Sequence, residues 1–225
     1  MAKESKSRYV LVELAYHLPY SIFGITVGLI AMGVLTFFAI LMDAEGRLAL
    51  ASGELFHVFH PAHVLISAVA TTAMYWKHEK RLIKAIFVGL IGSVVICALS
   101  DIFFPFVGGL SIGSNMSMHI CIIEEPGLVF PFALIGVVAG LLVPQSFEKS
   151  TQYSHSAHIF ISSAASILYL LGYGLTDWIH ALGAVFFIII IAVMIPCCVS
   201  DIVFPLTCVH RNCAHPQDLT HDHEH

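Results

Sequence analysis

Cys97-Ala-Leu-Ser-Asp101-Ile-Phe-Phe-Pro105 recurs further along the chain as Cys197-Cys-Val-Ser-Asp201-Ile-Val-Phe-Pro205, each time inside a long apolar run. A carboxylate at the centre of a membrane helix costs about 2.5–3.5 kcal/mol on insertion scales, so an Asp placed there twice points to function rather than packing. The duplication sets the reading of everything around it.

The surrounding composition is that of a bilayer protein. Of 225 residues 58% are hydrophobic and 11% charged, and the mean hydropathy is +0.87, outside the range of soluble domains. Six runs approach the roughly 20 residues of helix needed to cross the hydrocarbon core: residues 19–42, 59–76, 86–108, 128–143, 159–173 and 181–208. The fold class expected is therefore all-α integral membrane. Its six transmembrane helices form a 3+3 inverted-topology repeat whose third and sixth helices are broken. Residues 1–16 form a cytoplasmic leader, 17–110 the first three-helix repeat, 111–208 the second and inverted one, and 209–225 a cytoplasmic tail rich in Cys and His. The first run follows Lys3, Lys6 and Arg8 but is too long for a secretory h-region, so it reads as a retained helix.

Charge gives the orientation. Lys3, Lys6, Arg8, Lys77, Lys80, Arg81, Lys84, Lys149 and Arg211 fall on one side, and only Arg47 on the other. The positive-inside rule then puts both termini in the cytoplasm of a multi-pass protein of the plasma (inner) membrane. The net charge of −5 is confined to loops and tail and carries no nucleic-acid signal. Six scattered cysteines, mostly in spans or on the reducing side, exclude a disulfide framework.

Each pair of spans carries its own matched residues. His60-Pro-Ala-His63-Val-Leu-Ile-Ser67 in the second corresponds to His155-Ser-Ala-His158-Ile-Phe-Ile-Ser162 in the fifth; His17 and Gly33 in the first pair with Glu124 and Gly140 in the fourth. Three spans per half is an odd number, so the second half enters from the opposite face, as in transporters with inverted repeats. Parity then gathers His60, His63, Asp101 and Glu124 or Glu125 toward the outer half, and His155, His158, Asp201 and His17 toward the inner half.

Residues three and four apart share a helical face, so His60, His63 and Ser67 form one stripe and Cys97 with Asp101 another, each repeated in the second half. Imidazole, carboxylate and thiolate are the donor set of a borderline divalent metal. Zn²⁺ is favoured, and Fe²⁺, Mn²⁺, Co²⁺, Ni²⁺ and Cd²⁺ are compatible. The candidate ligands are His17, His60, His63, Cys97, Asp101, Glu124, Glu125, His155, His158, Cys197 and Asp201. Two imidazoles and one or two carboxylates nearly neutralise a dication, which makes its burial tolerable. Pro105 and Pro205 lie four residues after each Asp and disturb the helix there. His57, His119 and His180 have no matched partner and read as interfacial. The tail, with Cys208, His210, Cys213, His215, His221, His223 and His225, has the composition of a metal-binding tract.

The function expected is a proton-coupled secondary carrier or exporter of a divalent transition metal. Its partners are the metal ion, membrane lipid and, as candidate assembly, a second copy in a homodimer. The competing class is an intramembrane metal-dependent hydrolase with a His/Asp/Ser zinc site, against which stands the duplication. Haem ligation is disfavoured because His60 and His63 on one helix cannot clamp one haem.

Overall fold

A row of polar side chains is buried within the apolar core of this protein, while many large apolar side chains face outward. In the computed structural model, which describes residues 6–142 and 151–198, Ser67, Thr71, Thr72, Ser93, Ser100, Asp101, Ser162, Ser163 and Ser166 are fully buried, whereas Phe23, Phe87, Leu142 and Phe187 are among the most exposed. This inversion fits a membrane protein, whose outer surface meets lipid. The Cys/His-rich tail lies outside the described residues.

The architecture is all-helical, with no strand among the described residues. The helices are α1 (Lys6–Leu41), α2 (Leu48–His78), α3 (Leu82–Ala98), α4 (Phe104–Ser111), the single turn α5 (Cys121–Glu124), α6 (Pro126–Leu142), α7 (Thr151–Gly172) and α8 (Leu182–Cys198). Among the described residues, three stretches are long and apolar enough to span a membrane: Leu18–Leu41, Glu45–His78 and Leu82–Ser111. Pro126–Leu142, Ala157–Gly172 and Leu182–Pro196 are shorter apolar helices. The second span starts well before residue 59, because Ser52, Glu54 and His57 lower the hydropathy of a segment that is nonetheless helical.

Two helix ends show how the chain turns. After α1 the N–H of Ala44 bonds the Ala39 carbonyl at 2.8 Å and that of Asp43 the Ile40 carbonyl at 3.1 Å, with Asp43 at φ 52°. This is a Schellman close with Asp in the left-handed position. After α4 the same pair of bonds runs from Ser114 to Gly109 and from Gly113 to Leu110, and here Gly113, at φ 83°, takes the left-handed position without steric cost.

The expected break in the third span takes another form. Residues Leu99–Phe103 make a π-turn that joins α3 to α4, so the chain remains helical from Leu82 to Ser111. Pro105 has no N–H for the carbonyl of Asp101 and its ring crowds that carbonyl. One wider turn absorbs both problems, and such π-turns concentrate where a side chain must be re-aimed. The side chain at this turn is Asp101.

Helix α2 lies at the centre, packed on α3, α6 and α7, while α7 also packs on α1 and α8. Small residues set the closest approaches. A Cβ on Gly136 would stand 2.5 Å from the Leu65 carbonyl oxygen, and one on Gly140 2.7 Å from that of Val69, both on α2. On α1, Gly24 and Gly28 face Ile159, Phe160 and Ile167 of α7. Gly33, which the sequence paired with Gly140, has open space around it. Pro19, Gly24 and Gly28 share the spacing of Pro131, Gly136 and Gly140.

Candidate functional site

Midway along α2, His60 and His63 turn their Nδ1 atoms onto the same oxygen of Asp101, Oδ2, at 2.8 Å and 2.7 Å. The other oxygen, Oδ1, accepts hydrogen bonds from Ser100 Oγ at 2.7 Å and Ser162 Oγ at 3.2 Å. A carboxylate has about four acceptor positions, and here four are used. Asp101 is completely buried and His60, His63 and His158 nearly so. Cys97, one turn before Asp101, lies within hydrogen-bonding reach of His63.

The third face, that of α7, which also carries Ser162, comes from later in the chain. His158 on α7 places its Nε2 2.7 Å from Nε2 of His63. Since His63 donates from Nδ1 to the carboxylate, its Nε2 carries a lone pair when the ring is neutral, and His158 must donate across the gap. A continuous path results: His158 to His63 to Asp101, with His60 joining from the far side. Phe56 stacks on the His60 ring, with centroids 5.2 Å apart, and closes that end of the cluster. Ser166 Oγ bonds the Ser100 carbonyl at 3.1 Å, tying α7 to the π-turn.

With neutral imidazoles this dry cluster carries one negative charge. One proton on any ring neutralises it; a dication neutralises it with a Cys97 thiolate as well. Either form is tolerable at depth where the bare carboxylate is costly.

The structure therefore unites His60, His63, Cys97 and Asp101 with His158, which the sequence assigned to the opposite leaflet. It does not bring Glu124 or Glu125 to them. Glu125 is exposed beyond α5, and Glu124 belongs to a second cluster. The side chains of His17, His155 and Cys197, and Asp201 as a whole, lie outside the described residues.

The second cluster sits at the end of the bundle where α2 begins and α7 finishes. His57 Nε2 and His119 Nε2 are 3.0 Å apart, and one donor atom each from His57, His119 and Cys121 lie within 4.8 Å of one another. Glu124 Oε2 accepts from His119 Nδ1 at 2.8 Å, and Oε1 from the Ile120 N–H at 3.1 Å. That backbone bond first, then His119, holds the Glu124 carboxyl below its ordinary range. Burial, then the charges of Glu125 and Glu124, push the Cys121 thiol up to about 11. His119 stacks on Tyr173 at 4.8 Å, and its N–H donates to Tyr169 Oη at 3.2 Å.

Sequence reasoning placed His57 and His119 as unpartnered interfacial residues. One signal was present: His57 precedes His60 by three residues and so extends the His60–His63 stripe by a turn. Nothing local marks His119 and Cys121, which a loop carries across to α2. Compared with protein-family models, curated proteins and solved structures, the chain matches none.

Proposed function

We propose that the protein is a secondary carrier that exchanges a divalent transition-metal cation, Zn²⁺ foremost, for protons across the plasma (inner) membrane, with both termini cytoplasmic. The observation that carries this reading is the contact of His63 with His158. These two residues are counterparts in the repeated His-x-x-His-x-x-x-Ser pattern, and they meet Nε2 to Nε2 in the dry interior. Counterpart residues touch one another only beside a two-fold axis, and in inverted-repeat carriers that axis passes through the substrate site near the bilayer midplane.

The packing supports the same symmetry. The Pro19, Gly24, Gly28 face of α1 rests on α7, as the Pro131, Gly136, Gly140 face of α6 rests on α2. Gly24 meets Ile159 and Phe160, whose counterparts are Val64 and Leu65, and Leu65 is the residue Gly136 meets.

In this reading the cation sits between the two Nε2 atoms, and Asp101 orients and polarises His63 through Nδ1, as carboxylates behind metal-bound imidazoles do. The sequence repeat gives Asp201 the same role behind His158. At 2.7 Å the two nitrogens suit a shared proton; tetrahedral Zn²⁺, with bonds of about 2.0–2.1 Å, requires donors about 3.3 Å apart. The same lone pairs thus hold a proton or, after the helices part by about half an ångström, a metal. Competition for one pair of donors is the physical basis of exchange. Against the hydrolase reading, in which metal-bound water would be the nucleophile, stands the duplicated His-x-x-His-x-x-x-Ser pattern, for which hydrolysis has no use.

The test is Zn²⁺ flux into proteoliposomes containing a pH indicator. Zn²⁺ uptake with opposing proton movement, reduced at least 100-fold by Asp101→Asn, is expected. Wild-type flux equal to that of empty vesicles, or an unaltered Asp101→Asn variant, overturns the reading.

A further inference from the structure

The His57, His119 and Cys121 cluster has a construction that the central cluster does not explain. Its three donor atoms come from the start of α2, the loop before α5, and the first residue of α5. Cys121 is fully buried and carries a free thiol. Glu124 fixes the ring of His119: by accepting from Nδ1 it leaves a lone pair on Nε2, aimed at His57 Nε2 and not at solvent. A carboxylate behind an imidazole that points into a cluster of further donors is the outer shell of a metal site. Phe56, Tyr169 and Tyr173 pack around the pair, and Tyr173 Oη lies 3.4 Å from His57 Nε2.

We propose that His57 Nε2, His119 Nε2 and Cys121 Sγ form a second cation site, for a borderline or soft divalent ion such as Zn²⁺ or Cd²⁺, at the end of the bundle where α2 begins. Two imidazoles and one thiolate are three of the four donors of a tetrahedral site, and the fourth position is left to water. The thiol proton departs on binding, so the dication meets one thiolate with the Glu124 carboxylate behind it, and the site is neutral. Separations within 4.8 Å close to the roughly 3.3–3.6 Å of a tetrahedral set by small side-chain rotations. His57 is one turn from His60 and six residues, about 9 Å along the axis of α2, from His63. Phe56 stands between the clusters, touching His60 on one side and His119 on the other. The two sites are therefore separate, and this one does not depend on the carrier reading.

Co²⁺ is the probe, titrated into the purified full-length protein bearing Cys97→Ser, Cys208→Ser and Cys213→Ser, so that neither the central-cluster thiol nor the tail thiols contribute. A thiolate-to-cobalt charge-transfer band saturating at one equivalent is expected. It is lost in Cys121→Ser and in His119→Gln, is retained in His63→Ala, and shifts to 10- to 100-fold weaker binding in Glu124→Gln. The absence of the band, or its survival in Cys121→Ser, overturns the proposal. The two ligand variants are read only where helical circular dichroism and monodisperse elution match the parent, and Glu124→Gln supplies the test without touching a ligand. Flux through the central site is a separate readout, so loss of one and retention of the other tells the two proposals apart.

Discussion

The same helix, α2, carries two histidine clusters one turn apart at their nearest histidines, and they differ in nearly every physical respect. The inner one is dry, draws on α2, the π-turn and α7, and has its carboxylate at zero exposure with four hydrogen bonds. The outer one rests partly on a loop, and its carboxylate, Glu124, is half exposed. Burial converts a similar set of groups into different devices. Within the bundle a carboxylate persists only if everything around it is arranged to hold it, so the inner cluster is bound to the fold. At the edge, water covers any deficit, and the outer cluster is free to gain or lose an ion.

The sharpest way to break that contrast is truncation of the two acids. Asp101→Ala removes the acceptor of two imidazole N–H groups and of Ser162 Oγ from a site closed to water, while Ser100 Oγ keeps the Cys97 carbonyl at 3.1 Å. A loss of about 3–5 kcal/mol is expected, read as a fall in thermal midpoint in detergent; the more conservative Asp101→Asn loses much less. Glu124→Ala should leave the midpoint nearly unchanged, because water replaces the carboxylate. Equal losses at the two positions would refute the distinction.

A second comparison sets the packing of the two halves against open surface. Gly136→Ala places a methyl against the Leu65 carbonyl and should cost about 1–3 kcal/mol by forcing α6 from α2. Gly24→Ala, with 3.1 Å to a flexible Ile159 methyl, should cost less, and Gly33→Ala nothing. Thermal midpoints in that order support the α1–α7 and α6–α2 contacts as matched seams; a Gly33→Ala penalty equal to that of Gly136→Ala would remove the distinction.

How much of this was legible follows from where the information lies. His60, His63, Asp101 and His158 could be read because two copies of one pattern sit in a single chain, and chemistry repeated at fixed spacing stands out against an apolar background. The joining of His158 to the other three could not, because the repeat specifies counterparts and not distances. The sequence aligns His17 and Gly33 with Glu124 and Gly140, whereas the close helix approaches fall at Gly24, Gly28, Gly136 and Gly140; which glycine meets a neighbouring helix is not marked by its own local sequence. His57, His119 and Cys121 were hidden for a different reason: a loop without periodicity carries two of them to the third, and only tertiary structure records the meeting.

Acid titration refines the comparison with a smaller effect. Glu124 has its carboxyl held below the ordinary value, first by the Ile120 N–H and then by His119. A depressed carboxyl stabilises the fold above its unfolded value near 4.5, and that contribution disappears as pH falls through the folded value. Because solvent screens the half-exposed pair, thermal midpoints of the wild type and Glu124→Gln should differ only slightly at pH 6 and converge below pH 4. Persistence of the gap in acid would mean that the Glu124 ion pair with His119 is not its source.

The smallest effect is expected at His180, a histidine outside both clusters, and it tests whether burial alone makes the difference. Its Nδ1 donates to Asp177 Oδ1 at 2.6 Å, yet both side chains are largely exposed, at 85% and 73%. The hydrogen bond to Asp177, followed by the charge of that residue, raises the His180 pKa above 6.5. A raised imidazole stabilises the fold fully below its unfolded value and loses that contribution as pH rises through the folded one. Solvent screens an exposed pair of this kind, so His180→Gln should lower the midpoint slightly at pH 6 and not at all by pH 9, with Zn²⁺ flux and the cobalt band untouched. Were His180→Gln to abolish either, a short histidine–carboxylate contact in water would have to count as much as one in the dry core, and the division between the inner and outer clusters would lose its physical ground.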